Sequence, residues 1–159
     1  MSDVVHHHPG KCFMNASEQA VRETCDAWLR CVRTLDFAAA RRLWDPDFAG
    51  LLYQPEELEE PMTTIEELVD YWAWVPGHVE AVPEWRAIAT RVQVIGDAAM
   101  AWQKLATRIK LKDIGETFDG IVRCSLGLRA TDAGWRLVHY HESRLVSVES
   151  AVASLTDAA

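Results

Sequence analysis

The sequence predicts one α+β domain, a cone built from a long curved β-sheet packed on a long N-terminal helix and two shorter helices. Three observations carry this. Helix-period segments occupy the first half, four β-rich stretches of ten or more residues fill the second, and Gly- or Asp-bearing turns separate those stretches. Helices followed by an antiparallel meander indicate α+β rather than a parallel α/β sheet. Strands longer than the usual ~5–6 residues make sheets that curl, and helices laid across a curled sheet close a cone.

Each element has a local reason. Ser17, Glu18 and Gln19 open a segment in which Val21, Cys25, Trp28, Leu29 and Val32 recur at helical spacing, which predicts the long first helix. Asp36 is the expected N-cap of a short second helix through Leu43, and Asp45-Pro46-Asp47 ends it because proline keeps its predecessor out of the helix. A strand from Phe48 to Tyr53 follows. Thr63 or Thr64 then starts a third helix, with Glu66 or Glu67 completing a capping box and Ile65, Leu68, Val69, Trp72 and Val75 forming the buried stripe. Pro76-Gly77 is read as its stop. The predicted strands run from about Glu84 to Ile95, Ala98 to Leu111, Thr117 to Ala130 and Trp135 to Val146, with hairpin turns at Gly96-Asp97, Asp113-Ile114-Gly115 and Asp132-Ala133-Gly134.

Composition narrows the function classes. A chain of 159 residues with 49% apolar residues can bury one core without disulfide or metal staples. Residues 1–16 read as a flexible arm holding the His6-His7-His8 run, 17–148 as the domain, and 149–159 as a tail. The net charge of −8 repels a phosphate backbone, so nucleic acid is not an expected partner. Glu56 to Asp70 holds seven carboxylates and no base, which reads as a solvated loop and helix face. The four cysteines lack metal or redox spacing, and no apolar stretch approaches the ~20 residues of a membrane span, so a cytoplasmic location is expected. No nucleotide loop or flavin fingerprint is present, and no cofactor is expected.

Three segments resemble a known family: Leu43-Trp44-Asp45-Pro46-Asp47-Phe48, Ile95-Gly96-Asp97-Ala98-Ala99, and Gly134-Trp135-Arg136-Leu137-Val138-His139-Tyr140-His141-Glu142-Ser143. They are similar to SnoaL-like domains of the nuclear transport factor 2-like, cystatin-like superfamily, which includes ketosteroid isomerases. The last is also similar to the calcium/calmodulin-dependent kinase II association domain. In element order the resemblance covers Ser17 to Val146. It implies a strongly bent, mixed sheet with a deep cavity under the helices, and dimers formed through the outer sheet face. Relatives include isomerases, polyketide cyclases, dehydratases and epoxide hydrolases as well as transport and association modules, so fold analogy leaves catalysis and binding both open.

The candidate chemistry follows from residue type and position. His139 and His141 lie two apart on a strand and are expected to share a face with Leu137 and Ser143, where an imidazole would serve as general acid or base; the alternative is a pair of structural core residues. No third ligand shares that face, so no metal site is assigned. Arg108 and Arg123 interrupt strands otherwise suited to burial, and either binds a carboxylate or enolate oxygen in the cavity or pairs across the outer face. Asp47 falls where the resemblance implies a proton-shuttling carboxylate, with Tyr53 as an extra donor. Trp28 and Trp72, with Trp44, Trp74 and Trp102, are read as core or as aromatic walls for a flat, steroid-sized ligand. The reading is a homodimeric protein that binds a small apolar, carbonyl-bearing molecule, with the face bearing Val92, Val94 and Leu126 at the dimer interface; the alternative is a non-catalytic association module.

Overall fold

The computed structural model describes residues 16–147, so the expected arm up to residue 15, the His6–His8 run within it and the tail lie outside the described residues, while Ala16 belongs to the first helix. The α+β expectation holds. Helix α1 (Ala16–Thr34) buries Val21, Cys25, Trp28 and Leu29 on one stripe. Helix α2 (Phe37–Arg41) is capped by Asp36, whose side chain accepts the Ala39 N–H. It ends two residues before the expected Leu43. The first strand, β1 (Leu52–Gln54), is shorter than the predicted Phe48–Tyr53.

Helix α3 (Ile65–His78) carries the full capping box, Thr64 accepting the Glu67 N–H while the Glu67 carboxylate accepts the Thr64 N–H. It does not stop at Pro76-Gly77 but runs to His78. Its final carbonyls find partners outside the helix: the Lys112 ammonium donates to the Pro76 carbonyl, and the Lys112 N–H donates to that of His78 at 2.8 Å. Tertiary donors therefore complete a last turn that the local sequence reads as broken.

Strands β2 (Val79–Ile95), β3 (Ala98–Leu111), β4 (Thr117–Thr131) and β5 (Gly134–Arg144) form the antiparallel meander. The order across the sheet is β1-β5-β4-β3-β2, with β1 parallel to β5, so the sheet is mixed. The β2/β3 and β4/β5 turns place Gly96 and Gly134 at φ of 63° and 95°, where a side chain would be strained. Register shifts interrupt β2 between Val79 and Ala81, Ala81 and Glu84, and Ala87 and Ala89, and such bulges bend and twist a long strand. The concave face wraps onto α1, whose Trp28 ring lies 5.9 Å from Trp44, 5.9 Å from Trp72 and 5.4 Å from Tyr140. Edge-to-face and tilted packing of this kind adds to the area each ring buries.

One irregularity positions the site. Gly127 pairs with His139 while Leu128 pairs with Leu137, so Val138 is an extra residue in β5. Leu137 and Val138 are consecutively buried, and from there the alternation is inverted. Gly127 permits the bulge, because a Cβ there would stand 3.0 Å from that of His139.

Candidate functional site

Beyond the bulge, Tyr140 and Glu142 face the concave interior, whereas His139 and His141 face outward. The two histidines therefore do not share a face with Leu137, and neither lines the tyrosine-walled cavity of the inner face. His139 is half-buried, and that burial, then the neighbouring His141, lowers its pKa. His141 is exposed, in register with Ser125 and, one strand further, Trp102.

Of the two readings open for the arginines, the structure shows the outer-face one. Arg108 lies on the outer face, where its Nε donates to Asp119 at 3.0 Å directly across the β3–β4 ladder. Arg123 lies on that face too, donating to the Arg144 carbonyl at 3.3 Å. Both adopt the surface-pairing alternative, because even-numbered β3 residues and odd-numbered β4 residues here point away from the helices. Asp47 is exposed in the turn before β1, its N–H donating at 3.0 Å to Asp45. The buried carboxylate of that turn is Asp45, which is 2.6 Å from Arg129 and holds the turn against the sheet. Val92 and Val94 pack against the core and Leu126 is buried, so the face assigned to a dimer interface is the inner one.

The enclosed cavity lies between the end of α1, α3, the start of β2 and the middle of β5, with a volume of about 100 Å³. Its walls include Tyr53, Tyr71, Trp85, Tyr140, Phe37 and Glu57. Tyr53 is the one sequence-predicted site residue that lines it. Trp28 and Trp72 lie behind it in the core, and Trp102 is on the outer face. The volume is too small for a steroid, since ~150 Å³ accommodates a benzene. Roomier depressions of about 650 Å³ beside Arg30 and Pro83, and about 520 Å³ beside Phe37 and Pro76, are open to solvent and hold no buried ionisable group.

Two tyrosine–carboxyl pairs serve this cavity. At the wall, the Tyr71 hydroxyl donates to Glu57. Deeper in, the Tyr140 hydroxyl bonds Glu142 Oε2, while Oε1 accepts the Glu56 N–H at 3.3 Å. Tyr53 and Tyr140 stack with ring centroids 5.2 Å apart. Glu142 is 8% exposed, and its carboxyl is pushed up to about 7, chiefly by burial; the Tyr140 hydrogen bond opposes the shift and the Glu57 charge reinforces it. Burial also holds the Tyr53, Tyr71 and Tyr140 phenols above their ordinary range. The ion pair of Arg144 with Glu56 ties the loop that carries Glu56 and Glu57 to the end of β5.

Sequence reasoning missed Glu142, Tyr140, Glu57 and Tyr71. Glu142 does point away from the histidine face, as strand alternation requires, and the bulge makes that opposite face the inner one. Glu57 belonged to the acidic run read as solvated, and only α3 and β5 bring that run to the cavity. The signal available was the Tyr140-x-Glu142 spacing, which pairs a phenol and a carboxyl on one face.

The sequence profile of the SnoaL-like domain matches residues 21–147. Among curated proteins none matches the chain. Among solved structures, the chain is similar to a nuclear transport factor 2-like superfamily protein from Salmonella enterica serovar Typhimurium at 18% identity and a TM-score of 0.73, covering 83% of this chain and 93% of that one. A proposed dehydratase of the same superfamily from Streptomyces avermitilis matches at 19% identity and 0.71, covering 82% and 96%. A proposed calcium/calmodulin-dependent protein kinase II association domain from Xanthomonas campestris matches at 16% and 0.67, covering 91% and 100%. At these identities the likeness establishes the fold.

Proposed function

The chain belongs to the SnoaL-like domain family, and from that premise we propose that it binds a small, largely apolar, carbonyl-bearing compound and transfers protons on it without a cofactor, as in isomerisation, dehydration or cyclisation. The observation that carries the reading is the Glu142 carboxyl, buried behind the cavity-lining Tyr140 hydroxyl and ionising near neutrality. A proton carrier works best when its pKa lies near the working pH. Glu142 and Glu57 have divergent environments, one buried and one exposed, which is how two carboxyls come to hold opposite roles.

In the forward step Glu57 takes a proton from the carbon beside the carbonyl. Tyr140 donates its hydrogen to the carbonyl oxygen, and Glu142 passes its own proton to Tyr140. Glu57 then gives its proton to the enol at a new carbon, or to a hydroxyl that leaves as water, while the enol O–H proton returns through Tyr140 to Glu142. Both carboxyls are thereby restored. Exchange of the Glu57 proton with solvent before its return carries deuterium into the product. The small volume and the aromatic and aliphatic walls leave little room for competing water beside the reacting carbon.

The test is exchange of carbon-bound hydrogen from D₂O into a panel of small ketones, aldehydes and hydroxy-carbonyl compounds, followed by mass spectrometry. Exchange by the parent protein, lost in both Glu142→Gln and Tyr140→Phe, is the expected result. Exchange that survives both substitutions removes the reading.

The exposed outer face supports a second reading, association. Met100, Trp102, Ile88 and Ile95 expose apolar surface on that face, and a second copy would cover it. Sedimentation velocity of the parent and Trp102→Glu tests this homodimer: a dimer that the substitution dissociates is expected, and a monomeric parent at micromolar concentration rejects it.

A further inference from the structure

The tyrosine-walled cavity carries charge of one sign. Glu57 lines it and is itself exposed, so its carboxylate stands at the mouth, where the cavity meets solvent. Its Oε1 accepts the Tyr71 hydroxyl, and its Oε2 has no hydrogen-bond partner among the described residues. A carboxylate accommodates about four donors, so this one has capacity to spare. Among the described residues no Lys, Arg or His lines the space, and the Arg144 guanidinium of the adjoining loop network is bound to Glu56. The further carboxyl of the region, Glu142 behind Tyr140, adds a second acid.

The walls suit the same ligand. Phe37, Tyr53, Tyr71, Trp85 and Tyr140 bring aromatic rings to the space, and the other wall residues apart from Glu57 are aliphatic. Aromatic rings are electron-rich on their faces and attract a cation, while hydrocarbon packs against ring and aliphatic side chain alike. With about 100 Å³ enclosed, the space admits about five or six heavy atoms, judged against a ~150 Å³ cavity that holds benzene. Drawing a whole inorganic cation out of water into such walls is costly. An alkylammonium avoids most of that cost, because its hydrocarbon body enters while its charged end stays at the mouth, still partly hydrated. An anion of the same size meets the Glu57 carboxylate and finds no positive wall group to offset it.

We propose that this cavity selects a compact alkylammonium compound of about five or six heavy atoms, its hydrocarbon body among the rings and its positive nitrogen on the Glu57 carboxylate at the mouth. The proposal rests on the cavity being the ligand site, and it narrows the carbonyl compound of the proposed function to one that also carries an amine. A positive nitrogen near the reacting carbon stabilises the negative charge that proton removal leaves there.

The ions and molecules that test it are tert-butylammonium and tert-butanol, which share one shape and differ in charge, ranked by ligand-observed NMR titration of the full chain at pH 7. tert-Butylammonium is expected to bind in the millimolar range, as ligands this small do, and about fivefold tighter than tert-butanol. Glu57→Gln should weaken tert-butylammonium about fivefold and leave tert-butanol within about twofold, a split that a merely structural change would not produce. Glu59→Gln, which neutralises an exposed acid of the same loop that is not a wall residue, should leave both within about twofold. tert-Butanol binding the parent as tightly as tert-butylammonium overturns the selection. An unchanged tert-butylammonium affinity in Glu57→Gln, or an equal loss in Glu59→Gln, overturns the assigned counter-charge. Failure of both compounds to bind overturns the selection and the cavity as a ligand site together. Binding as expected without any D₂O exchange leaves this inference standing and removes only the proton-transfer reading.

Discussion

Tyr140 and His141 are neighbours in the chain and strangers in the fold. Tyr140 faces a concave layer where Glu142, Tyr53 and Trp28 exclude water, and His141 faces an open layer with Ser125 and Trp102. On the inner side, burial is strong enough to bring a carboxyl to about 7. On the outer side, Arg108 and Asp119, each about half exposed, make an ion pair of the kind that contributes little. The comparison shows that side-chain type alone does not nominate a catalytic group. A histidine is the usual choice near neutral pH, yet here desolvation gives that property to a glutamate.

Four experiments sharpen or break this contrast. The largest effect should come from inserting one alanine between His139 and Tyr140, beyond the bulge, where the strand alternates regularly. Keeping the strand paired with β4 would then send Tyr140 and Glu142 outward and draw His141 inward, so loss of the cooperative thermal transition is expected. An insertion variant that melts like the parent means the parity of β5 does not set the faces.

Next is a paired truncation. Trp28→Ala opens a void among Trp44, Trp72, Tyr53 and Tyr140 and should cost about 3–5 kcal/mol by urea denaturation. Trp102→Ala on the outer face, measured at a protein concentration where the chain is monomeric, should cost about 0.5 kcal/mol. Equal costs would erase the distinction between the layers.

A third effect is pH-dependent. A glutamate in the unfolded chain ionises near ~4.3, whereas Glu142 is pushed up to about 7 in the folded protein. Between those values the folded state holds a proton that the unfolded state has released. Raising the pH through this window therefore removes stability, by roughly 3 kcal/mol once Glu142 has ionised. Glu142→Gln lacks the loss, so the variant should gain on the parent from pH 4 to pH 8 in urea titrations. A difference that stays constant with pH would show that Glu142 is not perturbed.

The smallest effects belong to the outer face. His141→Ala and Arg108→Ala should each change stability by under about 1 kcal/mol and leave D₂O exchange within about twofold of the parent. A tenfold loss of exchange in His141→Ala would return the catalytic role to the histidine.

Local chemistry made much of the architecture legible. The Asp36 cap, the Thr64–Glu67 capping box, the α1 stripe and the glycine-bearing turns rest on interactions within a few residues, so composition and spacing suffice to locate them. The end of α3 was less legible, because Lys112 completes its last turn from 34 residues beyond His78, a pairing that local spacing does not encode.

What the sequence determined by itself was the order of helices and strands, the hairpin turns and the stock of aromatic residues for one core. What only the tertiary structure decided was which residues meet at the cavity. The parity of β5 depends on Val138 being left without a partner on β4, where Gly127 leaves room for His139, and a one-residue shift exchanges every inner side chain for an outer one. Glu142 owes its proton affinity to the same cause, since the water excluded around it is excluded by α1, α3 and the Glu56–Glu57 loop, all distant in the chain and brought together only when the sheet closes over them.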